Sequence, residues 1–330
     1  MRKIRVAQIG ISANSHGWEI FKSIEKQSDI FEFVGYTLPE NECEKFPIQV
    51  KDLEVHREMT LEEILADQSI EAVAIETEEI YLTKYALLAA KAGKHIHMEK
   101  PGGINLSDFE ELISIMKKTG KIFHTGYMYR YNPYVKELLS KIKDGELGEI
   151  ISVEAQMNCP HTETLRQWLQ AFPGGMMFFL GCHLVDLVLQ IKGVPEKIVP
   201  FNKCTGIDGV TATDYGMAVF EYKNGISFVK TNACEIGGFL RRQLVVTGTK
   251  GTVELKPFEI CVDGGQHTDK TEYFDKNWYV PGVTSRSMLY DRYDEMMASF
   301  ASMVSGEKEN PYTLDYEMTL YKTILKACGE

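Results

Sequence analysis

Apolar runs of strand length alternate with amphipathic stretches of helical length through the first third of the chain. KIRVAQIGI (3–11) reads as a buried strand, a Gly/Ser/Asn turn follows, and GWEIFKSIEKQ (17–27) places its apolar residues at helical spacing. FEFVGYTL (31–38), EAVAIET (71–77), KHIHME (94–99) and KIFHTGYMY (121–129) read as further strands. TLEEILADQS, YLTKYALLAAKAG and NLSDFEELISIMKKTG read as the helices between them. Thr60 and Glu63 stand at the spacing of a capping box, and Gly93 closes a helix. Strands joined by single helices imply right-handed crossovers and a doubly wound parallel sheet with both faces covered. Ligands of such a sheet gather at the carboxyl ends of its strands. Gly10, Thr37, Glu76, Glu99, Lys100 and Gly126 occupy those ends.

Beyond residue 125 the rhythm changes. NPYVKELLSKIKDG reads as a helix and EIISVEAQM as a strand, followed by a long loop and an apolar helix centred on CHLVDLVLQI. MAVFEY, ISFVKTNA, RRQLVVTG and GTVELKP then read as strands. The turn pairs Asn224-Gly225 and Lys250-Gly251 suit antiparallel neighbours. Two helices close the chain. The pattern predicts a parallel-sheet domain over 1–125 and an α+β domain with a large, mostly antiparallel sheet over 126–330.

A formal net charge of −11 with no long basic block argues against a nucleic-acid surface. The longest apolar stretch, GMMFFLGCHLVDLVLQI, is interrupted by His183 and Asp186, so no membrane span is expected. The start of the chain shows no secretory h-region. Seven scattered cysteines without a CxxC pair fit reduced thiols in a cytoplasm. No metal site is expected, since His95 and His97 share a strand face without a third ligand.

Candidate chemistry begins at IGISANSHG (9–17). A dinucleotide turn reads G-x-G-x-x-G. Here Gly10 is present, Ser12 takes the second glycine's place, and Gly17 comes two positions late. Ser12, Asn14 and Ser15 could donate to a phosphate at a helix N-terminus, with His16 and Gly17 completing the turn. An ordinary polar turn is the alternative. At the end of the second strand stand Thr37 and, beyond it, Glu40 and Glu42, with no arginine for a 2′-phosphate; this favours NAD, with NADP not excluded.

HIHMEKPGG (95–103) carries the strongest candidate. An ordinary lysine is a poor base, but desolvation or a neighbouring cation can tune it. Pro101 restricts the residue before it and so sets the direction of Lys100, while Glu99 could meet a ribose hydroxyl or orient the lysine. A solvated loop lysine is the plain alternative. In GGMMFFLGCHLVD (174–186), His183 and Asp186 are three apart and share a helix face. An acid beside an imidazole can fix its tautomer; a satisfied core histidine is the alternative. MYRYNPY brings Arg130 and Asn132 towards the cleft, although Pro133 also suits a helix start.

These stretches resemble the glucose–fructose oxidoreductase/inositol dehydrogenase (Gfo/Idh/MocA) family. AGKHIHMEKPGG resembles its A-G-K-H-V-x-x-E-K-P stretch, YRYNP its R-x-N/x-P element, DGELGEIISVEA its G-x-L-G-x-I element, GCHLVD its G-x-H-x-x-D helix, and VTGTKGTVEL its late G-x-x-G turn. The resemblance implies a Rossmann domain, an open antiparallel sheet that makes homodimers or homotetramers, and NAD(P)-dependent redox chemistry on a sugar or polyol. It implies Lys100 and His183 as an acid–base pair assisted by Asp186. Cofactor contacts are expected from Gly10, Ser12, Asn14, His16, Gly17, Thr37, Glu76, Thr77, Glu99, Lys100 and Arg130. Substrate contacts are expected from Lys100, Tyr127, Asn158, His161, Arg166, Trp168 and His183. Three departures stand out: the glycine turn is irregular, Thr77-Glu78-Glu79 replaces the family's T-P-N, and Phe179 replaces an Asp four residues before the histidine. The leading expectation is oxidation of a secondary hydroxyl of a sugar, cyclitol or glycoside. Redox-neutral glycoside cleavage or epimerisation, and a non-catalytic dinucleotide sensor, are the alternatives.

Overall fold

The computed structural model describes residues 2–330. Two compact units divide the chain: the stretch up to Tyr127 with Tyr293–Tyr321, and Met128–Arg292 with Lys322–Glu330.

The first unit is built on five parallel strands, β1 (Ile4–Ile9), β2 (Phe31–Thr37), β3 (Ala72–Ile75), β4 (His95–Met98) and β5 (Phe123–Thr125). Their order is β2-β1-β3-β4-β5. A sheet covered on both faces needs near-continuous apolar strands, and β3 is buried at every position. After β1 the chain runs outward to β2 and then crosses back to β3, so the reversal point lies at the carboxyl ends of β1 and β3. That is where doubly wound sheets open a ligand crevice. Helix Gly17–Lys26 turns Ile20, Phe21 and Ile24 inward. Thr60 and Glu63 form the expected capping box: Glu63 N–H donates to Thr60 Oγ1 at 3.1 Å, and Thr60 N–H to Glu63 Oε2 at 2.7 Å.

Two short helices after β2, Glu42–Lys45 and Pro47–Leu53, gave no sign in the periodicity. Leu53 packs with Ile11, Phe21 and Tyr36. The return of Tyr293–Tyr321 to this unit was equally silent. It is fastened by Ser23 Oγ donating to Asp294 at 2.9 Å, by Phe300 stacked on His124 at 5.5 Å, and by Tyr321 against Phe109 at 4.4 Å.

The second unit holds β6 (Ile150–Asn158), β7 (Lys197–Pro200), β8 (Tyr215–Tyr222), β9 (Gly225–Asn232), β10 (Gln243–Gly248), β11 (Thr252–Leu255), the hairpin strands β12 (Ile260–Val262) and β13 (Gly265–His267), β14 (Asp269–Tyr273) and β15 (Val283–Arg286). Eight of them form one sheet in the order β15-β14-β11-β10-β6-β9-β8-β7. Its pairs are antiparallel except β6 with β9. Both expected turns are present, at Asn224-Gly225 between β8 and β9 and at Lys250-Gly251 between β10 and β11. Alternation puts Val153, Ala155, Phe220, Val229, Leu244 and Val246 on the buried face. Helix Cys182–Lys192, buried almost throughout, lies against β6 and β9 on that face. No described helix is long and apolar enough to cross a membrane.

Candidate active site

In the first unit, the polar groups expected at the strand ends converge. Backbone bonds tie the ends together: Gly10 N–H to Thr37 O at 2.9 Å, Ser12 N–H to Glu76 O at 2.9 Å, and Glu99 N–H to Ile75 O at 3.0 Å. Gly10 has φ +88°, and a Cβ there would sit 2.6 Å from Thr77 N and Cγ2. Only glycine makes that turn without strain. Gly17 starts its helix against β3, where a Cβ would meet Ile11 Cα at 3.0 Å and Glu76 O at 3.1 Å. It therefore performs the close-packing task of the motif's third glycine, from a turn two residues longer. No side chain caps that helix, and the buried Ser15 hydroxyl has no partner. Ser12 is fully buried and accepts from Asn14 N–H at 3.3 Å. An uncapped helix start behind a side-chain-free turn fits a dinucleotide pyrophosphate.

Thr37 is only partly buried and gives its carbonyl to Gly10. The acid that reaches the turn is Glu42, whose Oε2 accepts Ile11 N–H at 2.6 Å while Oε1 has no partner. Burial pushes its carboxyl up to about 8, against the pull of the Ile11 bond. Glu40 faces elsewhere, bound to Lys84 at 2.5 Å and to the Tyr85 hydroxyl at 2.7 Å.

Lys100 is 1 % exposed. The solvated-loop alternative is thereby excluded. Its Nζ lies 3.4 Å from Glu99 Oε1, and His16 Nδ1 lies 3.1 Å from that same oxygen. Burial alone would push the Glu99 carboxyl up, but His16 and Lys100 outweigh it and hold it below its usual range. Glu99 Oε2 has no partner. Glu76 is fully buried, with neither carboxyl oxygen hydrogen-bonded; its Oε1 lies 3.5 Å from His97 Nε2. Burial, then the Glu99 charge, drive Glu76 well above its ordinary value. Burial pulls His97 down to about 4. Thr77 is buried beside Gly10, and Tyr127 is 3 % exposed.

In the second unit, a π-helical turn over Met177–Gly181 leads into helix Cys182–Lys192. Such turns rotate side chains off the regular helical spacing. His183 is buried, with the Tyr129 ring perpendicular to it at 5.0 Å. Tyr129 is fixed in turn: its hydroxyl donates to Glu259, which also takes Arg242 Nη1 at 3.1 Å and Arg292 Nε at 2.6 Å. Asp186 is occupied by Arg130, which donates through Nε at 3.0 Å and Nη2 at 2.8 Å, and by Gln190 at 2.8 Å. Arg130, expected at the cofactor, is thus anchored to this helix. Asn132 caps helix Pro133–Lys143 by accepting from Tyr134 and Val135.

Phe179 lies in an aromatic box. Trp168 meets it edge-on at 5.4 Å, Phe172 lies parallel to it at 6.4 Å, and His161 is 6.1 Å away. Burial, helped by Arg242 and Arg166, pulls His161 down to about 4; its Nε2 is 3.0 Å from Cys159 Sγ. Asn158, at the end of β6, is fully buried with both amide atoms lacking a partner. Arg166 is held by Asp208 and by Asp214 at 3.3 Å.

Sequence reasoning passed over Glu42 as a site residue, and also Glu79, which is fully buried with both carboxyl oxygens unpartnered. Their signal was present in the unusual density of glutamates after β2 and β3.

Comparison with known proteins agrees with this architecture. A family model described as an oxidoreductase family with an NAD-binding Rossmann fold matches residues 4–127. The GFO/IDH/MocA C-terminal domain model matches residues 135–254. Bovine (Bos taurus) trans-1,2-dihydrobenzene-1,2-diol dehydrogenase is 28% identical over 249 residues, 69% of this chain and 72% of that one. A structure from Desulfitobacterium hafniense superposes with TM-score 0.83 at 20% identity, covering 100% of this chain and 95% of that one. Aldose-aldose oxidoreductase from Caulobacter crescentus, complexed with glycerol, superposes with TM-score 0.80 at 17% identity, covering 99% and 98%. These two speak for the fold alone. With both halves matched by models of one family, the chain belongs to the GFO/IDH/MocA oxidoreductases.

Proposed function

We propose that this oxidoreductase oxidises, or in reverse forms, a secondary hydroxyl on a sugar, cyclitol or glycoside, with Lys100 and His183 as its acid–base pair. The observation that carries the reading is the burial of Lys100 at the end of β4, with its Nζ 3.4 Å from Glu99 Oε1. A desolvated lysine at such a strand end is suited to exchange protons. His183, held edge-on by Tyr129, is suited to steady the same hydroxyl.

The cofactor cradle comprises Gly10, Ser12, Asn14, Ser15 and the start of helix Gly17–Lys26, with Glu99 for ribose hydroxyls nearer the chemistry. A bound nicotinamide dinucleotide supplies the hydride acceptor. NAD is favoured over NADP because Glu42 meets the turn where a 2′-phosphate needs positive charge. The nearby cations are already matched, Lys45 to Glu78 at 2.6 Å and Lys84 to Glu40 at 2.5 Å.

Asn158 carries donor and acceptor capacity that nothing in the protein uses, which suits a substrate hydroxyl. Neutral His161 offers a second such contact. The box of Trp168, Phe172 and Phe179 favours a narrower substrate, a cyclic diol with one apolar edge. The bovine relative's name points the same way. Purified protein mixed with NAD or NADP and a panel of sugars, cyclitols and cyclic diols should generate reduced cofactor, faster with NAD. Absence of reduction across the panel, with product formed nonetheless, would instead identify the redox-neutral alternative.

A further inference from the structure

Where β6 ends, the chain runs Asn158-Cys159-Pro160-His161, and two of those side chains meet in a contact that the proposed chemistry does not use. Cys159 N–H donates to Asn232 O at 3.0 Å and His161 N–H to Ala233 O at 2.8 Å. These bonds hold the segment extended beside the end of β9. Residues two apart in an extended segment share a face. Cys159 Sγ accordingly lies 3.0 Å from His161 Nε2. Arg242 braces the peptide between Asn158 and Cys159, its Nε donating to Asn158 O at 3.4 Å. The imidazole stands 6.1 Å from the Phe179 ring, at the aromatic box of Trp168 and Phe172.

The sulfur contact decides where the imidazole proton sits. Burial, then Arg242 and Arg166, hold His161 down to about 4, so at neutral pH one ring nitrogen is protonated and the other bare. Which nitrogen carries the proton is set by the bond the other makes. Burial raises the Cys159 thiol, so sulfur keeps its hydrogen. A thiol sulfur is a weak acceptor, and a bare imidazole nitrogen accepts well. The S–H therefore donates to Nε2, and the ring proton goes to Nδ1. Arg242, which has hydrogens to give and no lone pair to offer, acts on the same thiol and favours that direction.

We propose that Cys159 is a positioning residue that locks His161 in the Nδ1–H form, so that this edge of the site donates to the substrate and selects an oxygen able to accept. This rests on His161 being a substrate contact. A hydroxyl can turn to serve either tautomer, whereas an ether oxygen pairs only with a donor. No electrons move, and sulfur forms no bond to substrate.

Cys159→Ala frees the ring, and Cys159→Ser restores a donor. Kinetics compare the best cyclic diol of the panel with its monomethyl ether, whose second oxygen can only accept. The wild type is expected to turn over both, with kcat/KM within a few-fold. In C159A the ether is expected to lose about tenfold relative to the diol, largely in KM, and C159S to recover most of that loss. A merely structural role lowers both substrates alike. An unchanged ratio in C159A, or rejection of the ether by the wild type, overturns the proposal. Ring-nitrogen NMR of histidine-labelled protein needs no turnover, and the His161 signal is the one missing from His161→Asn. A protonated Nδ1 and a bare Nε2 are expected in the wild type and C159S, with Nε2–H appearing in C159A. Nε2–H in the wild type overturns the proposal, whether or not C159A folds. Lys100→Met separates the two levels. If that variant still turns over, the functional reading falls; if it is inactive while C159A keeps the wild-type ratio, only the role of Cys159 falls.

Discussion

Nδ1 of His16 lies 3.1 Å from Oε1 of Glu99. The contact fastens the turn after β1 to the end of β4 and supplies the leading one of the influences that keep a fully buried carboxyl ionised.

His16→Ala removes that partner. Glu99 is a carboxyl held below its usual range, so the stability it contributes is present above the ordinary carboxylate pKa and lost as pH falls through the folded value. Without His16 the folded value rises. The acid limb of the melting-temperature profile should therefore move to higher pH, and the dissociation constant for NADH at neutral pH should rise by roughly 5–10-fold, about one charge-assisted hydrogen bond. Thermal melts from pH 4 to 8 and fluorescence titration check both.

Glu42 behaves in the opposite sense. Its folded value of about 8 stands above the ordinary glutamate value of 4.5, so between those limits the folded chain holds more protons and stability falls as pH rises. Glu42→Gln should gain on the wild type steadily from pH 5 to 8, by an amount on the order of a few kcal/mol at most. Above pH 8, where the Glu42 carboxyl is ionised, the same variant should narrow the preference for NADH over NADPH by about tenfold, one unfavourable charge contact. An unchanged preference would separate Glu42 from cofactor choice.

Gly10→Ala forces φ +88° on a side chain whose Cβ would lie 2.6 Å from Thr77. A loss of at least about 1–3 kcal/mol is expected, read as a lower denaturant midpoint, and with it the dinucleotide affinity.

Restoring the acid of the inositol-dehydrogenase pattern should fail. Phe179→Asp would bury a carboxyl against Trp168 and Phe172, costing roughly 3–5 kcal/mol. Phe179→Leu should keep the fold at a cost of about 1–3 kcal/mol and lower kcat/KM for cyclic diols more than for sugars. Equal losses on both substrate classes would remove the aromatic box from specificity.

What the sequence made legible follows the strength of the periodic signal. The buried strands β1 and β3 and the capped helix at Thr60 announce themselves through apolar runs and local hydrogen-bonding residues. The strand ends then fall where Gly10, Glu76 and Glu99 stand, because a parallel sheet with single-helix crossovers has one carboxyl edge. β15, exposed at every position, carries no such pattern, and β7 is too short to show one. Glu42 and Glu79 were hidden for another reason. Glutamates after a strand read as solvated, and only tertiary packing dries them. Asp186 likewise matched the spacing for a partner of His183, whereas its pairing with Arg130, a residue singled out for the cofactor, has no signature in the spacing of the two.

The central claim is that Lys100 exchanges the substrate proton while the dinucleotide is held by other groups. Lys100→Met, nearly isosteric and unable to take a proton, is assayed side by side for polyol oxidation and for NADH binding by fluorescence titration. The account predicts turnover reduced by at least about 10²-fold with NADH affinity within a few-fold of wild type. Undiminished turnover in the variant would contradict it.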